Sequence, residues 1–305
     1  MIIPKDKVCI LIPTLNEAPT IKDLILRFSE LGYPNIVVID GNSRDGTRDI
    51  ASSAGARVLV QKAKGKGNAL IEAFSQIGDP YILMLDGDGT YAPDDAEIML
   101  NPLLEGYDQV IGNRLIPENN SAFSRLNLMG NQWLNRLFKM ALGKYLSDIL
   151  SGYRAFTRES IDRLHLTETG FEIETEISAE AVRTNQNIKI VPIHYFKRPG
   201  THTKLNPFHD GIKITTTIYR LAKMNNPLFY FGLIGVIVMI AGIITGIYVL
   251  YEWFIHIEHL PLTVLTVLLI VVGFQIFMFG VISDMLLGYH REVMQELQQL
   301  QSKKP

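Results

Sequence analysis

Two long segments without a charged residue constrain this chain most. Residues 228–250 contain no Asp, Glu, Lys or Arg, and neither do residues 262–283. Each is close to the roughly 20 residues an α-helix needs to cross bilayer hydrocarbon. A pair of buried core helices is the alternative, but such helices in a soluble domain of this size are seldom uncharged on every face. The spacing therefore predicts a transmembrane hairpin. Lys213, Arg220 and Lys223 precede it, Arg291, Lys303 and Lys304 follow it, and the connector 251–261 has neither Lys nor Arg. Positive flanks stay inside, so both termini are expected in the cytoplasm, with Tyr251 and Trp253 at the outer interface. Two helices make an anchor and are too few for a solute path.

The 305-residue chain leaves room ahead of the hairpin for one sizeable domain. A net charge of −2 with 20% charged residues marks no nucleic-acid binder. The single cysteine, Cys9, sits in the apolar run Val8-Cys-Ile-Leu-Ile12, where a packed core thiol is expected. No signal peptide is visible, so this domain is expected to stay in the cytoplasm.

Residues 7–200 read as alternating strands and helices. Strands are expected at 8–12, 36–39, 58–60 and 81–85, and helices at 17–32, 45–54 and 68–76, the first with Ile21, Leu24, Ile25 and Phe28 on one face. This order implies an α/β fold with a mostly parallel twisted sheet and helices on both faces. Ligands bind such sheets outside the carboxyl ends of the strands, where residues 13–17, Asp40 and Asp86 converge. The second half departs from this alternation. Residues 123–142 place Phe123, Leu126, Trp133, Leu134, Leu137, Phe138 and Ala141 at helical spacing, a stripe that packs on the sheet or touches a membrane interface. Residues 208–223 are also amphipathic and abut the first span, as an in-plane interfacial helix would.

The chemistry centres on Tyr81-Ile-Leu-Met-Leu-Asp86-Gly-Asp88, an apolar run that delivers two carboxylates to a strand end. Together they can share a divalent cation, which in turn can hold a diphosphate. A solvated acidic turn is the plainer reading. An EF-hand loop is a rival, but Tyr91 stands where that loop needs glycine, and an apolar strand precedes it instead of a helix.

Ile12-Pro-Thr-Leu-Asn-Glu17, Val38-Ile-Asp-Gly-Asn-Ser-Arg-Asp-Gly-Thr47, the Asp86-Gly-Asp88 pair and Ser151-Gly-Tyr-Arg-Ala-Phe156 occur in the order seen in glycosyltransferase family 2. Over residues 8 to about 210 the chain resembles that family's dolichyl-phosphate mannose synthase and polyprenyl-phosphate glycosyltransferase branch. The resemblance implies a GT-A domain over 1–204, followed by an interfacial helix over 205–226, the hairpin over 227–290 and a cytoplasmic tail over 291–305. It implies inverting transfer of a hexose or N-acetylhexosamine from a UDP- or GDP-sugar to dolichyl or polyprenyl phosphate. Pro13, Leu15, Glu17, Asp40, Lys66, Asp86, Gly87 and Lys204 would bind the nucleotide sugar. Asp86 and Asp88, with Thr90 as a further oxygen, would hold Mg²⁺ or Mn²⁺. Asp88, Arg114 and Arg198 would be catalytic, and Arg198 and Lys204 belong to a basic loop that clamps phosphates. Leu15, Thr90 and Gly41 stand where members often have Tyr, Gln and a second acidic residue. A homo-oligomer is compatible with all of this.

A phosphate acceptor is already ionised near neutral pH, its second ionisation lying near pH 6, and needs only a positive cradle. Arg125, Arg154 and Arg198 are the candidates, against plain readings of Arg125 as a solvated surface group and Arg154 as an ion-pair partner of Asp148. An alcohol acceptor would need a carboxylate base, for which Glu172, Glu174 and Asp148 are available. Glu172, Glu174 and Glu176 alternate within 171–177, so at least one side is expected to face solvent. Lys64 and Lys66 form either a mobile turn or a nucleotide-binding loop. His194, His202 and His209 lack metal-ligand spacing. A sugar-nucleotide-binding subunit and a nucleotidyltransferase remain the other readings.

Overall fold

The computed structural model describes residues 3–199 and 207–302, which leaves Lys204 and His202 outside the described residues. Two compact units emerge. One takes in the chain through Lys139 and Gly143–Ile218, and the other Met140–Leu142 and the chain from Tyr219 onward.

The first unit is built on β1 (Val8–Thr14), β2 (Asn35–Asp40), β3 (Arg57–Val60), β4 (Tyr81–Met84), β5 (Gln109–Asn113), β6 (Arg154–Thr157) and β7 (Ile188–Pro192). Around them lie α1 (Ala18–Glu30), α2 (Thr47–Ser53), α3 (Lys66–Gln76), α4 (Ala96–Leu104), α5 (Arg125–Leu142), α6 (Arg158–Asp162) and α7 (Ile173–Arg183). The strands form one sheet in the order β3-β2-β1-β4-β6-β5-β7. All pairs are parallel except those of β6, which runs antiparallel to both β4 and β5.

Every residue of β1 is buried. Val8, Ile10 and Ile12 pack on one face with Ile21, Leu24, Ile25 and Phe28 of α1. Cys9 and Leu11 pack on the other with Leu70 and Phe74 of α3 and Ile173 and Ile177 of α7. Helices on both faces explain why the strand reads as a continuous apolar run. Burial pushes the Cys9 thiol up to about 12 and leaves it an inert core group.

The reversed strand sets the site. Leu83 pairs with Ala155 and Met84 with Arg154, so residues just after β4 and just before β6 meet at one sheet edge. That edge also receives the carboxyl ends of β1 and β2. The start of α3 is held close to the chain before α7. Gly67 N–H donates to Thr169 O at 3.0 Å, and a Cβ on Gly65, at φ +107°, would lie 2.1 Å from that same oxygen.

Two expectations need correction. Residues 171–177 do not alternate between a buried and a solvated side; from Ile173 they are helical, and Glu172, Glu174 and Glu176 are all buried. Burial is tolerated because Lys66 meets Glu174, Thr167 and Glu168 donate to Glu176, and the positive end of the helix dipole favours anions. The apolar stripe of α5 also divides: Leu134, Phe138 and Ala141 are buried, whereas Leu126 and Trp133 are exposed.

The helix α8 (Pro207–Asn225) is followed by α9 (Pro227–Phe254) and α10 (Leu260–Ser302). Pro227–Phe254 and Leu260–Tyr289 are long and apolar enough to cross a membrane, and only 11% of each apolar window is buried, unlike a core helix. The two helices approach through glycine: a Cβ on Gly235 would lie 2.7 Å from Gly273 O, and Thr266 Oγ1 donates to Thr245 Oγ1 at 3.1 Å. Close backbone contact and buried hydroxyl pairs are how helices associate without a hydrophobic driving force.

Gly65→Ala is expected to lower the melting temperature of the detergent-solubilised protein, with a loss above ~1 kcal/mol because both φ and space are violated. Gly130→Ala, in α5 with nothing within 4 Å of the added carbon, is expected to leave it unchanged or raise it.

Candidate active site

A cavity of about 440 Å³ lies at the carboxyl edge of the sheet. Pro13, Leu15 and Glu17 from the end of β1, Gly41 after β2, and Asp86, Gly87 and Asp88 after β4 form part of its wall. Lys66 of α3, Glu174 of α7, Arg114 after β5, and Tyr195 and Arg198 after β7 complete the charged surface.

The charges form an alternating chain. Lys66 Nζ binds Asp86 Oδ1 and lies 2.5 Å from Glu174 Oε1. Arg198 Nη2 donates to Glu17 Oε1 and Oε2 at 2.6 and 2.7 Å, and its Nη1 stands 3.5 Å from Asp88 Oδ2. Burial raises the Asp88 carboxyl above the usual carboxylate range and the neighbouring Asp86 raises it further, against the opposing pull of Thr90 and Arg198. Burial alone would lower Lys66, but Asp86 and Glu174 outweigh it and hold the ammonium firmly charged. Across the cavity, Arg114 forms a two-pronged pair with buried Asp148, Nε to Oδ2 at 2.8 Å and Nη2 to Oδ1 at 2.9 Å. Tyr195 covers the guanidinium, its ring centre 5.3 Å away.

Glycine makes room for this arrangement. A Cβ on Gly152 would lie 2.6 Å from Asp86 Oδ2, so the glycine of Ser151-Gly-Tyr-Arg serves the carboxylate. A Cβ on Gly87 would meet Thr14 Cγ2 at 2.7 Å.

The donor set fits a hard divalent cation. Two carboxylates one residue apart share the cavity, and each also meets a protein cation, Lys66 at Asp86 and Arg198 at Asp88. Among the described residues no three His, Cys, Asp or Glu side chains gather as metal ligands. Asp86 and Asp88 would therefore hold an ion that draws its other oxygens from substrate and water, as Mg²⁺ and Mn²⁺ do.

Several expected residues stand elsewhere. Arg154 is fully buried, donating to Ser151 O, Ile149 O, Ser178 Oγ and Gln109 Oε1. It does not line the cavity and makes no hydrogen bond to Asp148; it ties the chain before β6 to β5 and α7. Burial pulls its guanidinium down to about 10. Arg125 lies exposed at the first position of α5 and does not line the cavity. Thr90 is buried and off the cavity wall, donating from both N and Oγ1 to Asp88 Oδ1, so it orients the carboxylate. Asp40 is likewise fully buried, its oxygens taken by Ser43 N at 2.9 Å and Ser43 Oγ at 2.5 Å, and Gly41 forms the wall instead. Asp148 is engaged by Arg114. Sequence reasoning missed the Lys66–Glu174 pair, Tyr195, Gln61 and Gly152. Only Gly152 carried a signal, as a glycine inside the Ser151–Phe156 motif, beside the bulky Tyr153 and Arg154.

Residues 9–164 match the model of glycosyl transferase family 2. The chain belongs to that family. It is 48% identical to glycosyltransferase AglJ of Haloferax volcanii over 97% of this chain and 99% of the relative. It is 32% identical to the dolichyl-phosphate hexose transferase of the same organism, over 71% of this chain and 94% of that one. Among solved structures, glucosyl-3-phosphoglycerate synthase of Mycobacterium tuberculosis, in complex with Mn²⁺ and UDP-glucose, superposes with a TM-score of 0.58 at 22% identity, covering 70% of this chain and 78% of that one. The fold is thus GT-A-like, and the protein is a family 2 glycosyltransferase carrying two apolar candidate spans.

Asp88→Asn is expected to raise the melting temperature of the metal-free protein, since the raised carboxyl shows that its charge is disfavoured in the fold. The same substitution should abolish turnover. Arg154→Ala should lower stability by about 3 kcal/mol, as removal of one partner from a buried polar cluster does, leaving acceptor KM unchanged in whatever fraction remains folded.

Proposed function

We propose that this chain transfers a hexose or N-acetylhexosamine, with inversion, from a UDP- or GDP-sugar to dolichyl or polyprenyl phosphate at the cytoplasmic face of a membrane. One observation carries the choice of acceptor: all four carboxylates on the cavity wall are matched to cations. Glu17 and Asp88 face Arg198, and Asp86 and Glu174 face Lys66. An alcohol acceptor needs a carboxylate base. Asp148 is committed to Arg114, Glu174 to Lys66, and Glu172 is off the cavity wall. A phosphate brings its own anionic oxygen and requires only placement. The name of the dolichyl-phosphate hexose transferase points the same way.

In this reading Asp86 and Asp88 would hold Mg²⁺ or Mn²⁺, and the ion would supply Lewis-acid neutralisation of the charge growing on the departing nucleoside diphosphate. Lys66 and Arg198 exchange Asp86 and Asp88, respectively, for phosphate oxygens as substrate enters. Glu174 and Glu17 keep those cations charged and in place meanwhile. Thr90 and the space above Gly152 fix the two carboxylates. Pro13, Leu15, Gly41 and Gln61 border the nucleotide, and Lys204, outside the described residues, is kept as a phosphate-binding cation on its sequence position alone. Arg114, locked on Asp148 under Tyr195, presents fixed positive charge; removing one such preorganised donor typically loses about 3 kcal/mol of transition-state stabilisation. The catalytic domain over 1–204 is followed by an interfacial helix over 205–226, the anchor over 227–290 and a cytoplasmic tail over 291–305, with both termini in the cytoplasm.

Purified full-length protein, labelled nucleotide sugar and polyprenyl phosphate should give a charged glycolipid only with Mg²⁺ or Mn²⁺ present. Product from a polyprenol alcohol but none from the phosphate would refute the acceptor assignment. Protons compete with metal for Asp88 above the usual carboxylate range. Apparent Mn²⁺ affinity, measured by calorimetry, should therefore fall on acidification before that of a carboxylate site of ordinary acidity.

A further inference from the structure

The α5 helix carries an apolar stripe that the catalytic unit leaves uncovered. Leu126 is 73% exposed, Met129 69%, Trp133 54% and Met140 63%. Offsets of three, seven and fourteen residues put all four on one helix face, while Leu134, Asn135, Phe138 and Ala141 on another face are buried. Elsewhere in this unit large exposed apolar side chains occur singly along the chain, as on any soluble surface. A continuous stripe on one helix is different and marks a contact surface.

Charge identifies the occupant. Residues 119–147 contain no Asp or Glu but hold Arg125, Arg136, Lys139 and Lys144. All four are exposed. Arg125, Arg136 and Lys139 lie along one border of the stripe by helical angle. The overall charge of the chain is −2, so this is a local concentration against the global balance. Apolar side chains bordered by Lys and Arg suit the headgroup region of an anionic bilayer, apolar face down and cations among lipid phosphates. The last turn of the same helix, Met140–Leu142, belongs to the compact unit of the two spans, and Asn226 Nδ2 donates to Met140 O at 3.3 Å within it.

We propose that α5 lies in the interface of an anionic membrane, as a contact separate from the spans and from α8. Leu126, Met129, Trp133 and Met140 enter the acyl boundary, and Arg125, Arg136 and Lys139 meet lipid phosphates. Arg125 thus contacts bulk lipid instead of the reacting acceptor. The inference rests on the hairpin spanning a bilayer and is independent of which acceptor or donor is used.

The chain has two tryptophans, Trp133 and Trp253, and each can be read alone. Full-length Trp253→Phe in nanodiscs of anionic phospholipid should show blue-shifted Trp133 emission. Most of that emission should be lost when the lipid is brominated near the headgroup end of its chains, and less should be lost in zwitterionic lipid. Leu126→Glu with Met129→Glu, both at exposed sites, should reverse this quenching without lowering the melting temperature. Trp133 quenched by aqueous iodide and not by brominated lipid would overturn the proposal. So would Trp133 shielded from both quenchers in particles of dimer mass, since a second copy of the chain would then cover the stripe. Trp133→Phe leaves Trp253 to report the hairpin: loss of its quenching by brominated lipid would overturn the anchor itself, whereas failure of Trp133 alone overturns only the α5 contact.

Discussion

Two carboxylates held one residue apart at the end of a buried strand repel each other, and most of the site answers that repulsion. Asp88 is held above the usual carboxylate range by burial and by Asp86. Lys66 and Arg198 each bring a cation to one member of the pair, and Glu174 and Glu17 secure those cations from behind. Keeping both aspartates ionised side by side is the costly part of this cluster. On the proposed reaction this is useful: a divalent cation held by Asp86 and Asp88 would offset the repulsion, and Lys66 and Arg198 would then be available to phosphate oxygens.

The sheet makes this crowding unavoidable. If β6 ran parallel to β4, the chain before it would lie at the opposite edge, away from Asp86. Antiparallel pairing instead brings Gly152 against the Asp86 carboxylate, where a methyl group would collide. The same reversal sends Arg154 inward between β5 and α7, where its donors saturate the carbonyls of Ser151 and Ile149. A motif of four residues thus does two jobs: its glycine yields space at the cavity, and its arginine fixes the loop that carries that glycine.

This division explains what was legible in the sequence. β1, β4, α1 and the two spans follow from local periodicity and from runs of apolar residues, because their burial is a property of the segment itself. The convergence of residues 13–17 and Asp86 on one edge follows from strand order. Arg154 was misread because its fate depends on which strand pairs with β6 and in which direction, which no local pattern encodes. Glu172, Glu174 and Glu176 have period two on paper, yet Ile173 and Ile177 are one helical turn apart and carry the packing. Seven residues cannot separate those periods. Asp40 looked like a ligand because it ends a strand, but its carboxylate closes the turn to Ser43 instead. The stripe on α5 left sheet packing and membrane contact both open, because hydrophobicity alone does not say whether protein or lipid covers it.

The two substrates of the proposed reaction pose different binding problems, and the chain is built unequally for them. A nucleotide sugar arrives from water in three dimensions, so its affinity has to come from contacts, and the cavity wall accordingly draws on β1, β2, β4, α3, β5, α7 and the segment after β7. A polyprenyl phosphate is already confined to a plane. An enzyme fixed to that plane meets it at high effective concentration without new contacts, as tethering does in general, provided the catalytic unit stands at headgroup height. Membrane-spanning helices fix the protein to the plane but leave its tilt free. A second, in-plane contact spaced along the chain from the spans removes that freedom. A basic, apolar-striped helix inside the catalytic unit suits such a constraint, because Leu134 and Phe138 bury its other face in protein, and a helix held on one side can carry a membrane contact on the other.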